Sequence, residues 1–361
     1  MVINRQHGER MNLPKIFNSR YPILEACMNR GSTLELAVAV HNAGAYPSLC
    51  SSTYLEYNRP VYENLLALKN DLISFVKITK SHNIHISFDL EEFSLDPNLN
   101  KFYRWQSLQR DIFRKNIKIC HNIIKEFAIP TVEIIYGNSN TPRPTDVVRP
   151  DIEGRLIELT QPFNEMGTKV FNRTYDPVTE EIRKKYFFDG FCVKGSDSSG
   201  FGGTTYTVKE LFLLQKQLTP DVCVIPYGGV GTGAQVKEYF NLGADMVAVG
   251  SVLAYSKESP ISDITKQLVV SSTKDTLQQY KHTFTVNNNT VTRKQSRLLL
   301  ENQYQGLDDG NHTKSLEVGL SNISNTGHVF IGHAIDHINE VLPVDQIIQN
   351  LMVDFDKSMY N

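Results

Sequence analysis

Ile225-Pro-Tyr-Gly-Gly-Val-Gly-Thr-Gly233 sets four glycines between an apolar run and a helix start marked by Thr232-Gly-Ala-Gln235. A Thr followed three residues later by Gln reads as a capping box, which places the turn just before the helix. Glycine leaves the backbone uncovered, and the first N–H groups of a helix have no partner within it, so the stretch reads as a phosphate cradle. A tight strand-to-helix turn would also require glycine, and the stretch alone does not separate the two. Gly243-Ala-Asp-Met-Val-Ala-Val-Gly-Ser251 adds a second apolar run ending in a glycine and a hydroxyl residue. Working outward, Val- and Ile-rich runs at 23–27, 45–50, 84–90, 131–135, 168–172, 191–194, 222–226 and 246–250 alternate with helical stretches at 33–42, 61–80, 104–127, 150–165, 178–186, 208–217 and 234–241. That alternation predicts parallel α/β architecture. An open doubly wound sheet usually carries one phosphate fingerprint after its first strand, whereas these glycine turns follow the seventh and eighth, which are neighbours in a closed barrel. The expected fold is therefore a (β/α)8 TIM barrel.

Beyond Ser251 the strand alternation stops. The pattern predicts an appended, mostly helical segment over 256–303, interrupted by a hairpin-like stretch at Asn287-Asn288-Asn289, then a loop at 305–327 rich in Gly, Asn, Asp and Ser. A last helix is expected over 344–354, after Pro343. The expected organisation is a barrel at 14–255, the appended helical segment and loop at 256–325, and a C-terminal segment at 326–361 packing back on the barrel.

The chain has 361 residues, 37 basic against 39 acidic, for a net charge of -2, so no overall field draws it to nucleic acid or an anionic membrane. Its five cysteines, Cys27, Cys50, Cys120, Cys192 and Cys223, are odd in number and lack CxxC spacing. They argue against a disulfide framework or a zinc site and for a reducing compartment. The first ten residues are polar with no apolar stretch behind them, and no run is long enough to span a bilayer, so a cytoplasmic location is expected.

Tyr21-Pro-Ile-Leu-Glu-Ala-Cys-Met28, Leu34-Glu-Leu-Ala37, Asn42-Ala-Gly44, Gly228-Gly229-Val230 and Gly243-Ala-Asp245 running into Gly250-Ser251 together resemble the nitronate monooxygenase (2-nitropropane dioxygenase-like) family of FMN-binding barrels. That family also includes flavin enoyl-thioester reductases. The resemblance continues through Lys257-Glu-Ser-Pro260, Lys266-Gln267, Gly332 and Val341-Leu-Pro343. It implies FMN as the tight cofactor, with the phosphate at Gly228, Gly229, Gly250 and Ser251 and the approach lined by Ala248 and Val249. It sets Met28 against the flavin ring, Asp89 where the family usually has Asn, Ser199 where it usually has Gly, and Lys194 where Gln or Lys is common. A lysine near the flavin pyrimidine would stabilise negative charge on the reduced ring. An ion pair of Lys194 with Asp197 is the bland alternative.

The sequence departs from the family in Lys194-Gly-Ser-Asp-Ser-Ser-Gly-Phe-Gly-Gly203, where Phe201 stands in place of the usual His. Phenylalanine has no proton to exchange, so abstraction from carbon by the usual route is in doubt. An already anionic nitronate would need no base; Asp197 or Asp89 would be substitutes, and Lys194 and Asp197 are the expected catalytic pair. His328 or His333 is a candidate replacement donor. His82 and His85, and the i, i+4 pair His333 and His337, lack a metal-site motif, so no metal is expected. Cys27 replaces the family's Pro and reads as a small buried residue. Tyr46, Phe201, Tyr206 and Tyr227 fall near predicted C-terminal strand ends, where barrels build their sites, and suit an apolar pocket.

The function the resemblance implies is an FMN-dependent oxidoreductase that oxidises a nitronate-like or other small carbon acid with oxygen. The alternatives are a flavin enoyl-thioester reductase of fatty-acid or polyketide metabolism, taking an acyl thioester, or a flavin-binding barrel that has lost turnover. A phosphate-sugar barrel without flavin would use the same two turns. The expected partner is a small-molecule substrate, and the chain is compatible with a homodimer.

Overall fold

The computed structural model describes residues 16–54, 61–89, 109–135, 152–286, 289–299 and 328–359. Its strands in chain order begin with β1 (Ile23–Glu25), β2 (Ser48–Cys50), β3 (His85–Asp89), β4 (Thr131–Ile135), β5 (Lys169–Thr174) and β6 (Gly190–Val193). They continue with β7 (Gly200–Gly202), β8 (Cys223–Pro226) and β9 (Val247–Val249). All but β7 are parallel. A six-stranded run orders β2-β3-β4-β5-β6-β8, and β1 pairs with β9. Parallel bridges between Leu24 and Tyr46 and between Tyr227 and Ala248 join the two sets, so the ring closes on eight strands as expected.

The intervening helices are α1 (Leu34–Asn42), α2 (Val61–Thr79), α3 (Gln109–Glu126), α4 (Ile152–Glu165), α5 (Glu180–Lys185), α6 (Val208–Leu218), α7 (Gly233–Asn241), α8 (Ser251–Ala254) and α9 (Asp263–Val270). The Thr232–Gln235 capping box is present at α7, and a second box, Thr207–Glu210, opens α6. Among the described residues no helix is long and apolar enough to cross a membrane.

Strand alternation sorts the core into two layers. Leu24, Tyr46, Phe171, Ile225, Met246 and Ala248 fill the barrel with Phe17, while Ile23, Val247, Val249 and their counterparts meet the helices. Phe17 and Tyr46 meet edge to face at 5.2 Å. Tyr46 precedes β2 and hydrogen-bonds Thr131, the first residue of β4, so it lies toward the amino ends of the strands and not at the rim where the sequence had suggested it.

The segment after Ser251 departs from the mostly helical expectation. After α9 come an antiparallel hairpin, β10 (Gln278–Val286) and β11 (Asn289–Leu299), and then β12 (His328–Phe330). One edge of β11 carries β10; the other is shared by β7, opposite Lys294 to Ser296, and β12, opposite Arg297 to Leu299. The aromatic and β-branched residues Tyr280, Thr283, Phe284, Val286, Thr290, Val291 and Thr292 on either side of the asparagines favour strands over helix. Asn287, Asn288 and the 305–327 loop lie outside the described residues. The C-terminal helix is Val344–Met359.

Candidate active site at the carboxyl end of the barrel

Because Tyr227 and Ala248 are bridged, the turns two to three residues beyond them stand side by side on neighbouring strands. Gly228 and Gly229 have φ of 123° and 74°, in the left-handed region that side chains disfavour. A β-carbon on Gly228 would also lie 2.4 Å from that of Ser198. Gly231 and Thr232 donate their N–H groups to Gln235 Oε1 at 2.8 and 3.1 Å. By contrast, among the described residues no acceptor takes the N–H groups of Gly229, Val230, Ser251 or Val252. These two sets of donors stand at the barrel's carboxyl end, a place where helix and turn N–H groups can take an anion.

Met28 reaches the same corner. A β-carbon on Gly250 would sit 3.6 Å from Met28 Sδ, so the turn after β1 and the turn after β9 are in contact. Ser251 is buried at the start of α8. Ala248 faces the barrel interior, but Val249, one residue on, turns its side chain to the helices and offers the site only backbone; its carbonyl accepts from Ala26 N at 3.0 Å. The alternation that turns His85 and Cys192 inward carries half-buried Asp89 and Lys194 to the inner rim of β3 and β6. Asp89 N donates to Ser51 Oγ at 3.4 Å, and Lys194 N to Thr174 O at 2.9 Å.

Asp197 is tied to α6 through one oxygen. Its Oδ1 accepts from Val208 N at 2.8 Å, at the start of α6, and its Oδ2 lies beside Gly229. Ser199 N packs against Gly332 of the C-terminal segment, and His333 N donates to Asp197 O at 3.3 Å. The exposed His337 ring lies against Gly231. Neither histidine joins a metal-ligating group among the described residues.

Beneath the rim, the barrel holds charges that the sequence pattern did not single out. Arg173 Nε and Nη2 donate to Glu133 Oε1 and Oε2 at 2.8 and 2.5 Å, and both side chains are buried. Arg173 Nη2 also donates to Tyr227 Oη at 2.8 Å and to Cys27 O at 3.3 Å, and Tyr227 Oη donates to Cys27 O at 3.2 Å. Burial opposes ionisation of Glu133, but the Arg173 guanidinium holds its carboxyl below the usual range. Burial pushes the His85 imidazole down to about 4, so His85 is neutral, with Nδ1 against Thr131 Oγ1 at 2.9 Å. Cys27 is buried and its thiol is raised well above normal by burial, as fits a small packed residue and not a nucleophile. The signal for the pair was present: a Glu and an Arg inside apolar runs must find each other when buried. Strand five was expected to end at Asn172, one residue short of Arg173, and so the pair was missed.

The nitronate monooxygenase family model matches residues 178–354, which span the loop after β6, both glycine turns and the C-terminal segment. A probable nitronate monooxygenase of Staphylococcus saprophyticus is 24% identical over 304 residues, covering 80% of this chain and 78% of that protein. The fold is shared with FabK of Thermotoga maritima, at a TM-score of 0.67 and 18% identity over 98% of each chain. It is shared also with nitroalkane oxidase of Streptomyces ansochromogenes, at 0.61 and 14% identity over 95% of this chain and 98% of that one. Over residues 178–354 the chain is similar to the nitronate monooxygenase family, and its fold is the barrel of these neighbours.

Phe201, where the resemblance implies a His, lies in a strand. Phe201 is the middle residue of β7 and is paired with Gln295 of β11. Glycine is required on both sides of it: a β-carbon on Gly202 would lie 2.5 Å from Gly195 O, and Gly200 has φ of 61°. The side chain of Tyr227 points into the barrel toward Arg173, so it does not wall a substrate pocket above the rim.

Proposed function

We propose that this chain is an FMN-dependent oxidoreductase acting on a small carbon acid that arrives already ionised, a nitronate being the type, with oxygen as the electron acceptor. The observation that carries the reading is the pair of adjacent turns whose N–H groups at Gly229, Val230, Ser251 and Val252 have no acceptor among the described residues. The residues fit a ribityl phosphate: the donors are backbone, two turns share the load, and Gly250 adjoins Met28 at the corner where the two strands end. Bound there, FMN supplies a two-electron acceptor that no amino-acid side chain provides.

The protein's own contribution is to bind and orient. Gly228, Gly229, Gly250 and Ser251 would hold the phosphate, with Ala248 below them. Met28 would meet the ring, and Lys194 and Asp89 line the inner rim, with Ser199 beside Gly332. The Lys194 cation favours an anionic substrate and the negative charge that accumulates near it during reduction. Asp197 is left out of the chemistry, because its Oδ1 serves as the acceptor at the start of α6. With no imidazole at Phe201, a substrate that carries its negative charge on arrival asks no proton transfer of the protein.

The test is an absorbance spectrum from about 300 to 550 nm of protein loaded with FMN, followed by anaerobic addition of a nitronate, NADH and NADPH in turn. Bleaching by the nitronate with recovery in air is expected. Bleaching by NADPH alone, with recovery on adding an enoyl thioester, would replace the reading with the reductase. A flavin that none of them reduces would mark a barrel without turnover, and a colourless protein that refuses FMN would remove the flavin altogether.

A further inference from the structure

The interior of a barrel of this kind is ordinarily filled by branched apolar side chains. Here it holds Arg173, Glu133, Tyr227, His85 and Cys27, all buried. A buried ion pair is a poor stabiliser, since two apolar residues of similar volume usually hold a fold as well or better. Its retention calls for something that apolar residues cannot do.

One contact meets that condition. Cys27 O receives two donors from within the barrel, Arg173 Nη2 at 3.3 Å and Tyr227 Oη at 3.2 Å. From the other side, Ser32 Oγ accepts from Met28 N at 3.0 Å and donates to Ala26 O at 3.4 Å, and Thr53 Oγ1 donates to Met28 O at 3.3 Å. Ala26 N is taken by Val249 O at 3.0 Å, tying the turn to the strand that leads into Gly250 and Ser251. The peptide groups of residues 26 to 28 are thus held from inside by a charged pair and from outside by two hydroxyls. Glu133 completes the device: it binds Arg173 through both oxygens, which fixes the plane of the guanidinium and leaves Nη2 aimed at Cys27 O.

A metal ion is the competing use of these side chains, because ligand atoms of Cys27, His85 and Glu133 lie within 4.8 Å of one another. Both oxygens of Glu133 are bonded to Arg173, however, and a dication there would sit beside a guanidinium in a buried, uncompensated site.

We infer that Arg173 is a positioning residue: anchored by Glu133, it sets the Cys27–Met28 turn, and through it the place where Met28 meets the flavin. The inference rests on the flavin reading for its functional half, and its structural half is measurable without flavin. Two variants are compared with the native chain, Arg173→Met combined with Glu133→Met, which removes both charges at matched volume, and Arg173→Lys, which keeps the ion pair but loses the fork that reaches Cys27 O.

Three quantities are read: thermal midpoint, hydrogen exchange of the Met28 amide in flavin-free protein, and the FMN dissociation constant with the position of its visible band. The expected result is a midpoint near the native value for the double variant. In both variants Met28 exchange should rise and FMN binding weaken by about fivefold or more, the worth of one lost hydrogen bond, with a displaced visible band. A merely structural pair would move the midpoint and leave exchange at Met28 and the flavin band alone. Should the double variant fail to fold, Arg173→Lys decides. Native exchange at Met28 in either folded variant overturns the inference. Faster exchange with unchanged FMN affinity and band would keep the clamp and overturn its role toward the flavin, and a native protein that takes no FMN would do the same.

Discussion

Glu25 closes β1 with its side chain on the outer face of the barrel, fully buried. Its Oε2 accepts from Ser48 N at 3.0 Å, while Oε1 has no partner among the described residues. Burial therefore pushes its carboxyl up to about 8, against an ordinary 4.5, and the residue is largely protonated at neutral pH. Since the folded state holds the proton more tightly than the unfolded chain, this group's contribution is complete below about 4.5. It is lost as pH rises through about 8, by on the order of a few kcal/mol. Glu25→Gln, neutral at every pH, should match the native thermal midpoint near pH 5 and exceed it increasingly toward pH 9 in an unfolding series. Parallel curves for the two proteins would show that Glu25 is ionised in the fold. The sequence displays Glu25 within an apolar run, but whether that carboxyl meets a cation, as Glu133 meets Arg173, or only a peptide N–H depends on which strand lies beside it.

Helix α6 is anchored twice at its first turn. Thr207 and Glu210 cap each other, a pattern visible in the sequence because its members are three residues apart. Asp197 takes the Val208 N–H from eleven residues away, across β7, and no local pattern announces it. As a helix-terminal acceptor, Asp197 is worth about 1 kcal/mol, whereas a catalytic base is worth about a hundredfold or more in rate. Asp197→Asn should therefore lower the thermal midpoint by a few degrees, on the scale of a lost cap, and leave turnover on a nitronate within about threefold. A hundredfold fall in kcat with an unchanged midpoint would return Asp197 to the chemistry. The same contrast explains why the strands and helices of the barrel were legible: each of α1, α6 and α7 starts at a threonine that caps its own backbone.

Across the whole molecule, the sheet built on β11 binds the site loop to the appended segment, because β7 has its ladder partner there and not in the barrel. Gln295 of β11 lies opposite Phe201 on one edge and Tyr280 on the other, so its N–H points into a ladder either way. Gln295→Pro should break that pairing. Flavin content and the barrel's circular dichroism should stay native, while kcat/KM falls by about ten- to hundredfold, the effect of a misplaced site loop. Native kinetics in that variant would detach the appended sheet from the site. What the sequence by itself determined is local: eight apolar runs of strand period, threonine caps, and two glycine turns at the seventh and eighth strand ends of the barrel. The antiparallel sheet that engages Phe201 and the Arg173 contacts to Glu133 and Cys27, 40 and 146 residues away, were decided only by the tertiary structure. Such pairs acquire their meaning when barrel closure brings distant strands together, and closure is a property of the ring that no single run of residues contains.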